Sequence, residues 1–114
     1  MGTLTLEIAS RDMVAKRFID AFNGNQRGEF ISFETPELLF KTLTIKRWEL
    51  LQAMTGAGAM SIREVARRLH RDVKAVHGDV QALLISGILE KNDAGQIAFP
   101  YDAVHVDFML KEAA

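Results

Sequence analysis

The sequence contains no cysteine. That excludes a disulfide framework, a thiolate zinc site and a cysteine nucleophile. Long apolar runs are also missing: none approaches the ~18 residues of a membrane-spanning helix. The Met1–Ser10 stretch is too short and too polar for a signal peptide, so the chain is expected to be soluble and cytoplasmic, with no membrane partner. Proline occurs only twice in 114 residues, and no repeat, low-complexity segment or clear linker is present. The three histidines, His70, His77 and His105, are dispersed and lack metal-ligand spacing. No G-x-S-x-G, phosphate loop or dinucleotide fingerprint occurs. Gly56-Ala57-Gly58 lacks the lysine that a phosphate cradle wants. These absences predict no enzymatic activity, no cofactor and no metal. Met13, Met54, Met60 and Met109 read as core filler rather than a cofactor box.

An excess of charge of one sign is absent too. Fourteen Lys+Arg against fifteen Asp+Glu give −1, which taken alone argues against nucleic acid as a partner. Divided along the chain, the number changes meaning. Residues 1–40 carry −2, residues 41–78 carry +5, and residues 79–114 carry −4. A basic middle lies between two acidic ends, and such asymmetry indicates where an anion docks.

What is present is enough apolar material for a core, 48% of residues, patterned for mixed α and β structure. Leu4, Leu6 and Ile8 alternate with polar residues, as in a half-buried strand. Ser10 caps a helix with the stripe Val14, Phe18, Ala21 and Phe22, stopped by Asn23-Gly24-Asn25. Phe30–Phe33 is β-prone. Thr35-Pro36 enters a short helix with Leu38, Leu39 and Leu43 on its apolar side. Thr44 caps a helix whose buried face is Ile45, Trp48, Leu50, Leu51 and Met54. Ser61-Ile62-Arg63-Glu64 is a capping box, with Ser61 accepting a backbone N–H and Glu64 reaching back. Ile62, Val65, Ala66 and Leu69 share one face of that helix. Asp72 caps the next, with Val73, Val76, Val80, Leu83 and Leu84 inward and Gly87 just past the end. Ile88–Lys91 and Gln96–Phe99 flank the turn-rich Asn92–Gly95 as a hairpin, and Val104, Val106 and Phe108 mark a last strand.

The order helix, glycine loop, short helix, tight turn, longer helix, hairpin is that of a winged helix-turn-helix, which inserts its second helix in the DNA major groove. Residues 44–99 resemble such a unit of the MarR-like type. The run S-I-R-E-V-A-R-R-L-H-R-D-V-K-A-V-H-G-D-V (61–80) followed by L-L-I-S-G-I-L-E (83–90) is similar to a family of small predicted prokaryotic transcriptional regulators. R-D-x-K-x-V-x-x-D (71–79) and P-Y-D-x-V-x-V (100–106) strengthen the match, which covers roughly residues 33–108. Two departures stand out. His70 holds the turn position usually given to glycine. Asp79 holds a helix position that is usually apolar, and an unpaired buried carboxylate there is costly. A basic partner such as Arg47 or Arg67 is therefore expected.

The fold class expected is α+β: a winged helix-turn-helix (44–99) with an added N-terminal strand and helix (1–43) and a C-terminal strand and tail (100–114). The expected function is double-stranded DNA binding by a transcriptional regulator, a repressor acting by occlusion with helix 72–86 in the major groove. Helical steps of 100° place Lys74, Ala75, Gly78 and Gln81 outward, with His77 at the border of that face. Arg71 lies just before the helix. Lys74 or Arg71 suits phosphate or guanine edges, and Gln81 suits adenine. Ser61, Arg63 and Arg67 on the preceding helix suit phosphates, and Lys91 and Asn92 sit near the wing tip. Gly78 costs ~1 kcal/mol against alanine in mid-helix, which close approach to DNA would explain. A homodimer is expected, joined through the Ser10–Phe22 helix and the terminal strands. The alternative is a protein-interaction module on the same fold, such as an antitoxin whose acidic C-terminal section meets a basic toxin.

Overall fold

Side chains at the helix starts decide where the helices begin. Ser10 Oγ accepts the Met13 N–H at 3.3 Å, Thr35 Oγ1 accepts that of Leu38 at 3.3 Å, and Thr44 Oγ1 accepts that of Arg47 at 3.3 Å. Ser61 Oγ accepts the Glu64 N–H and Asp72 Oδ2 accepts the Lys74 N–H, each at 3.1 Å. Each bond satisfies a donor that the first helical turn leaves open, at a typical gain of about 1 kcal/mol. The computed structural model describes residues 2–22 and 29–109. Its helices are α1 (Arg11–Phe22), α2 (Pro36–Thr42), α3 (Ile45–Met54), α4 (Ile62–Leu69) and α5 (Val73–Ile85). Its strands are β1 (Thr3–Ile8), β2 (Glu29–Phe33), β3 (Glu90–Lys91), β4 (Ile97–Ala98) and β5 (Ala103–Asp107). The chain is thus mixed α+β, as its patterning predicts. Among the described residues no helix is long and apolar enough to cross a membrane.

The larger sheet has the order β2-β1-β5, with both neighbours parallel to β1. Leu4 lies beside Val104 and Leu6 beside Val106, so these four side chains share one face. Leu4 and Leu6 on that face are fully buried. On the opposite face Glu7 lies beside Ser32 and Asp107. Although strand alternation predicts a solvated position, Glu7 is only 7% exposed; α1 lies over this face, where Val14 and Ala15 line a hollow with Phe30 and Ser32, and Glu7 Oε1 accepts the Ser32 hydroxyl at 3.0 Å.

One apolar cluster joins the sheet to the helices. Leu4, Leu6 and Leu39 belong to it together with Leu50, Met54, Val65, Val76, Val80, Leu83, Ile88 and Ile97. Burying each such aliphatic side chain stabilises the fold by roughly 1.5–3 kcal/mol before entropy is counted. Segments 1–43, 44–99 and 100–114 all contribute to this cluster or pack against it.

The helical stripes are narrower than their periodicity suggests. Leu50, Leu51 and Met54 are buried, but Ile45 is 79% exposed and Trp48 is exposed as well. Counted at 100° per residue, Ile45 lies nearly opposite the direction shared by Leu50, Leu51 and Met54, and Trp48 lies on the flank of that face. Leu38 and Val73 are exposed near the starts of α2 and α5, and Val14 is exposed on α1. Met54 and Met60 fill the core, whereas Met13 and Met109 are exposed. The side chains of Phe18, Ala21 and Phe22, and the stop at Asn23–Asn25, lie outside the described residues.

Candidate nucleic-acid interface

The segment from α4 to β4 is organised around a tight turn. His70 ends α4 in the left-handed conformation, φ 52° and ψ 44°, a region disfavoured for side-chain-bearing residues but more tolerant of histidine. The His70 N–H donates to the Arg67 carbonyl at 3.2 Å, and the Arg71 N–H donates to that of Ala66 at 3.1 Å. Together these bonds form a Schellman closure, which satisfies two of the carbonyls that a helix end leaves open. Asp72 then caps α5 immediately. Ala66 on α4 and Val76 on α5 are both buried in the common cluster. The result is a three-residue turn, His70–Asp72, between two helices in contact.

Beyond α5, Gly87 takes φ 84° and turns the chain into the hairpin. β3 and β4 pair antiparallel, with Lys91 beside Ile97. Met60, just before α4, bridges Ile97 from the other side. The loop is held from within: Asn92 Oδ1 accepts the Ala94 N–H at 3.0 Å and the Gln96 N–H at 2.9 Å.

Three charge clusters divide the basic middle of the chain. Arg47 Nε donates to Asp79 Oδ1 at 3.0 Å, and its Nη1 donates to the Lys41 and Thr42 carbonyls, each at 3.0 Å. Those carbonyls lie at the C-terminal end of α2, where a cation also opposes the helix dipole. Arg71 Nη1 lies 2.9 Å from Asp79 Oδ2, with side chains 17% and 15% exposed. That second contact is an ion pair rather than an aligned hydrogen bond, since neither atom gains a hydrogen-bond partner from it. In the second cluster, on α4, Glu64 accepts from Arg67 at 2.7 and 2.6 Å and from Arg68 at 2.8 Å. These hydrogen bonds, Arg67's first and then Arg68's, pull the Glu64 carboxyl down to about 2. The third group, Lys41, Lys46, Arg63 and Lys74, is exposed and makes no ion pair among the described residues.

These contacts place each expected site residue. Lys74, Ala75, His77 and Gly78 are exposed along α5, and Gln81 is half-buried. Gly78 has a helical backbone, and a Cβ added there would meet no atom within 4 Å. Ser61, Arg63 and Arg67 are exposed on and before α4; Lys91 and Asn92 are exposed at the hairpin. Arg71 is turned inward onto Asp79. Of the two partners expected for Asp79, Arg47 is present and Arg67 is not, because Glu64 holds Arg67 one turn away. Glu64 completes only half of the expected capping box: its N–H is capped by Ser61, but its carboxylate is taken by the two arginines. Sequence reasoning missed Ile85, 86% exposed and eleven residues beyond Lys74, which at 100° per residue puts it on the Lys74–Gly78–Gln81 face. It also missed Arg68, whose i, i+4 spacing from Glu64 is a signal for that pair. No group of three or more His, Asp or Glu that could hold a metal occurs among the described residues.

The family model described as HVO_A0114 matches residues 42–106, which span α3, α4, α5, the hairpin and nearly all of β5. No curated protein and no solved structure matches the chain.

Proposed function

The chain belongs to the HVO_A0114 family, and from that premise and the geometry above we propose that it binds double-stranded DNA as a transcriptional regulator. In this reading residues 44–99 act as a winged helix-turn-helix of the MarR-like type. Helix α5 enters the major groove, α4 lies over the backbone, and the β3–β4 hairpin meets the flanking strand. Repression follows by occlusion of the promoter. A homodimer would read two half-sites about 10 bp apart.

The observation that carries the reading is the outer face of α5. Lys74, Ala75 and Gly78 follow a three-residue turn and lie exposed, away from the core. A mid-helix glycine costs about 1 kcal/mol in helix stability, and no described residue approaches closely enough to need its small size. A duplex lying against the helix would need it. Lys74 and Arg63 supply cations that no carboxylate among the described residues neutralises, and Arg67 and Arg68 share one carboxylate between them. Their targets are phosphates, which fix register, while Gln81 is the side chain suited to a base edge. Arg71, bound to Asp79, takes a different role: it braces the turn that presents α5.

The test is selection of bound duplexes from a random-sequence pool, with a Lys74→Ala/Gln81→Ala variant as control. Enrichment of one motif by the parent protein, lost in the variant, supports the reading; no enrichment at low salt contradicts it. A second reading, a protein-interaction module such as an antitoxin, is favoured by the exposed acids Glu90, Asp93, Asp102 and Asp107. Co-purification with the product of a neighbouring gene, without DNA enrichment, would select it.

A further inference from the structure

Strand β5 forms one edge of the larger sheet and, among the described residues, pairs only with β1. Free strand edges are templates for pairing, and proteins usually blunt them with proline, lysine, a bulge or a covering element. The five residues of β5, A-V-H-V-D, carry no proline or lysine. Beside this edge lie two hollows. One, of about 340 Å³, is lined by Phe40, Ile45, Trp48 and Val106 among others, with Thr44 as its polar member. The other, of about 110 Å³, is lined by Trp48 and Val104 with Leu51. Trp48 therefore stands between the two core-facing valines of β5. Phe108, just past the strand, meets Phe40 edge-on at 5.6 Å between ring centroids. Phe40, Ile45, Trp48, Phe108 and Met109 are all exposed, and a contiguous apolar patch of this kind marks an interaction surface.

We propose that β5 is the homodimer edge: two copies pair antiparallel, β5 on β5, about a two-fold axis through His105. What selects a second copy as the occupant is the strand's own symmetry. V-H-V reads the same in both directions about His105. Antiparallel pairing centred there puts Val104 opposite the partner's Val106, and Val106 opposite the partner's Val104. β-Branched cross-strand pairs are among those that stabilise a sheet. Ala103 falls opposite the partner's Asp107, so no two carboxylates are directly opposed. The partner's valines continue the apolar face that ends at Trp48, which brings the two Trp48-walled patches to a common seam. A five-residue strand pair alone is marginal. The flanking Phe40, Ile45 and Trp48 supply the apolar area that moves such a contact toward the roughly 800 Å² per partner of a stable interface. The other edge lacks this symmetry: centring β2 on Ile31 would oppose Phe30 to Ser32 and Glu29 to Phe33. The closed dimer would have the strand order β2-β1-β5-β5-β1-β2, with a two-fold suited to a palindromic operator.

This inference deepens the dimer part of the proposed function and does not depend on DNA. Its test uses the cysteine-free chain, in which a single engineered cysteine is an unambiguous reporter. Ala103, His105 and Asp107 are all exposed, so substitution leaves the core intact. Directly opposed residues in an antiparallel pair have Cα atoms about 4.5–5.5 Å apart, within disulfide reach. The expected results, all without nucleic acid, begin with a dimer by light scattering at tens of micromolar. The His105→Cys protein then links covalently under mild oxidation. The Asp107→Cys protein does not, since its own copy lies four residues along, about 13 Å away. The double variant Ala103→Cys/Asp107→Cys links again. A monomer at that concentration overturns the proposal. So does a dimer in which Asp107→Cys links as fast as His105→Cys, or in which none of the three links. A β5-linked dimer that ignores DNA would contradict only the DNA reading, and a DNA-binding monomer would contradict only the dimer.

Discussion

Arg47 on α3 and Asp79 on α5 meet at 3.0 Å, and Arg71 from the turn closes on the second oxygen of the same carboxylate at 2.9 Å. Three parts of the helical unit are joined by one acid. Arg47 also ties down the end of α2 through two carbonyls. The carboxylate thus serves two guanidinium groups that are themselves largely buried. Removing it leaves both without their counter-ion, and breaking a buried pair costs far more than the pair contributes against an apolar replacement of the whole set. We predict that Asp79→Asn and Asp79→Leu each lower stability by about 2–4 kcal/mol, read as a shift in the urea midpoint. An Asp79→Leu protein as stable as the parent would rule out a structural requirement for the pair.

Glu64 leads to a prediction about pH and one about affinity. Its carboxyl is held down from 4.5 to about 2 by Arg67 and Arg68. A depressed acid contributes stability above its unfolded value, and that contribution is lost as pH falls from about 4.5 through about 2. Glu64→Gln should therefore show a modest loss of stability at neutral pH, with parent and variant converging in that acid window; both are read from thermal melts across pH. The same substitution releases Arg67 and Arg68 from their shared counter-ion. On the DNA reading it tightens binding several-fold at low salt. Unchanged or weaker binding would mean that these arginines do not face the duplex.

Gly78 separates stability from binding. With no atom within 4 Å of an added Cβ, Gly78→Ala should stabilise the fold by up to about 1 kcal/mol. If α5 rests on DNA at this residue, the same methyl weakens binding by an order of magnitude or more. Denaturation and binding curves on one preparation check both signs, and a more stable protein that binds equally well would remove Gly78 from the contact surface.

His70 carries a backbone cost. At φ 52° it occupies a conformation that glycine adopts without penalty. His70→Gly is expected to raise stability by about 0.5–1 kcal/mol, measured as a higher denaturation midpoint, with DNA affinity unchanged because His70 sits in the turn.

Local chemistry made much of this architecture readable in advance. The caps at Ser10, Thr35, Thr44, Ser61 and Asp72, the positive φ at Gly87 and the left-handed His70 all follow from the needs of a helix end and a few side-chain atoms. Strand alternation located β1 and β5 but could not reveal that they are parallel neighbours, because a period of two carries no information about partners. Glu7 was unreadable for a related reason: alternation does not say that α1 lies over the polar face of β1. Helical periodicity assigned Ile45, Trp48 and Val73 to the interior, yet apolar character alone does not say which side of a helix the core takes: Ile45 lies nearly opposite Leu50, Leu51 and Met54 on α3. Arg71 illustrates the limit at the candidate site. Its position beside α5 suggests an outward cation, and only the tertiary placement of Asp79 turns it inward. The i, i+3 and i, i+4 arginines likewise outcompete the backbone for Glu64, which a capping-box pattern does not anticipate.

On the DNA reading the α4–α5 surface neutralises DNA phosphates, and the salt dependence of affinity for a duplex, measured by fluorescence anisotropy, tests this. With about four to six phosphate contacts, log affinity should fall against log salt with a slope of roughly −4 to −5. Arg63→Ala and Lys74→Ala should each make that slope shallower by about one. No binding at low salt, or a slope near zero that neither substitution changes, would contradict DNA binding by this surface.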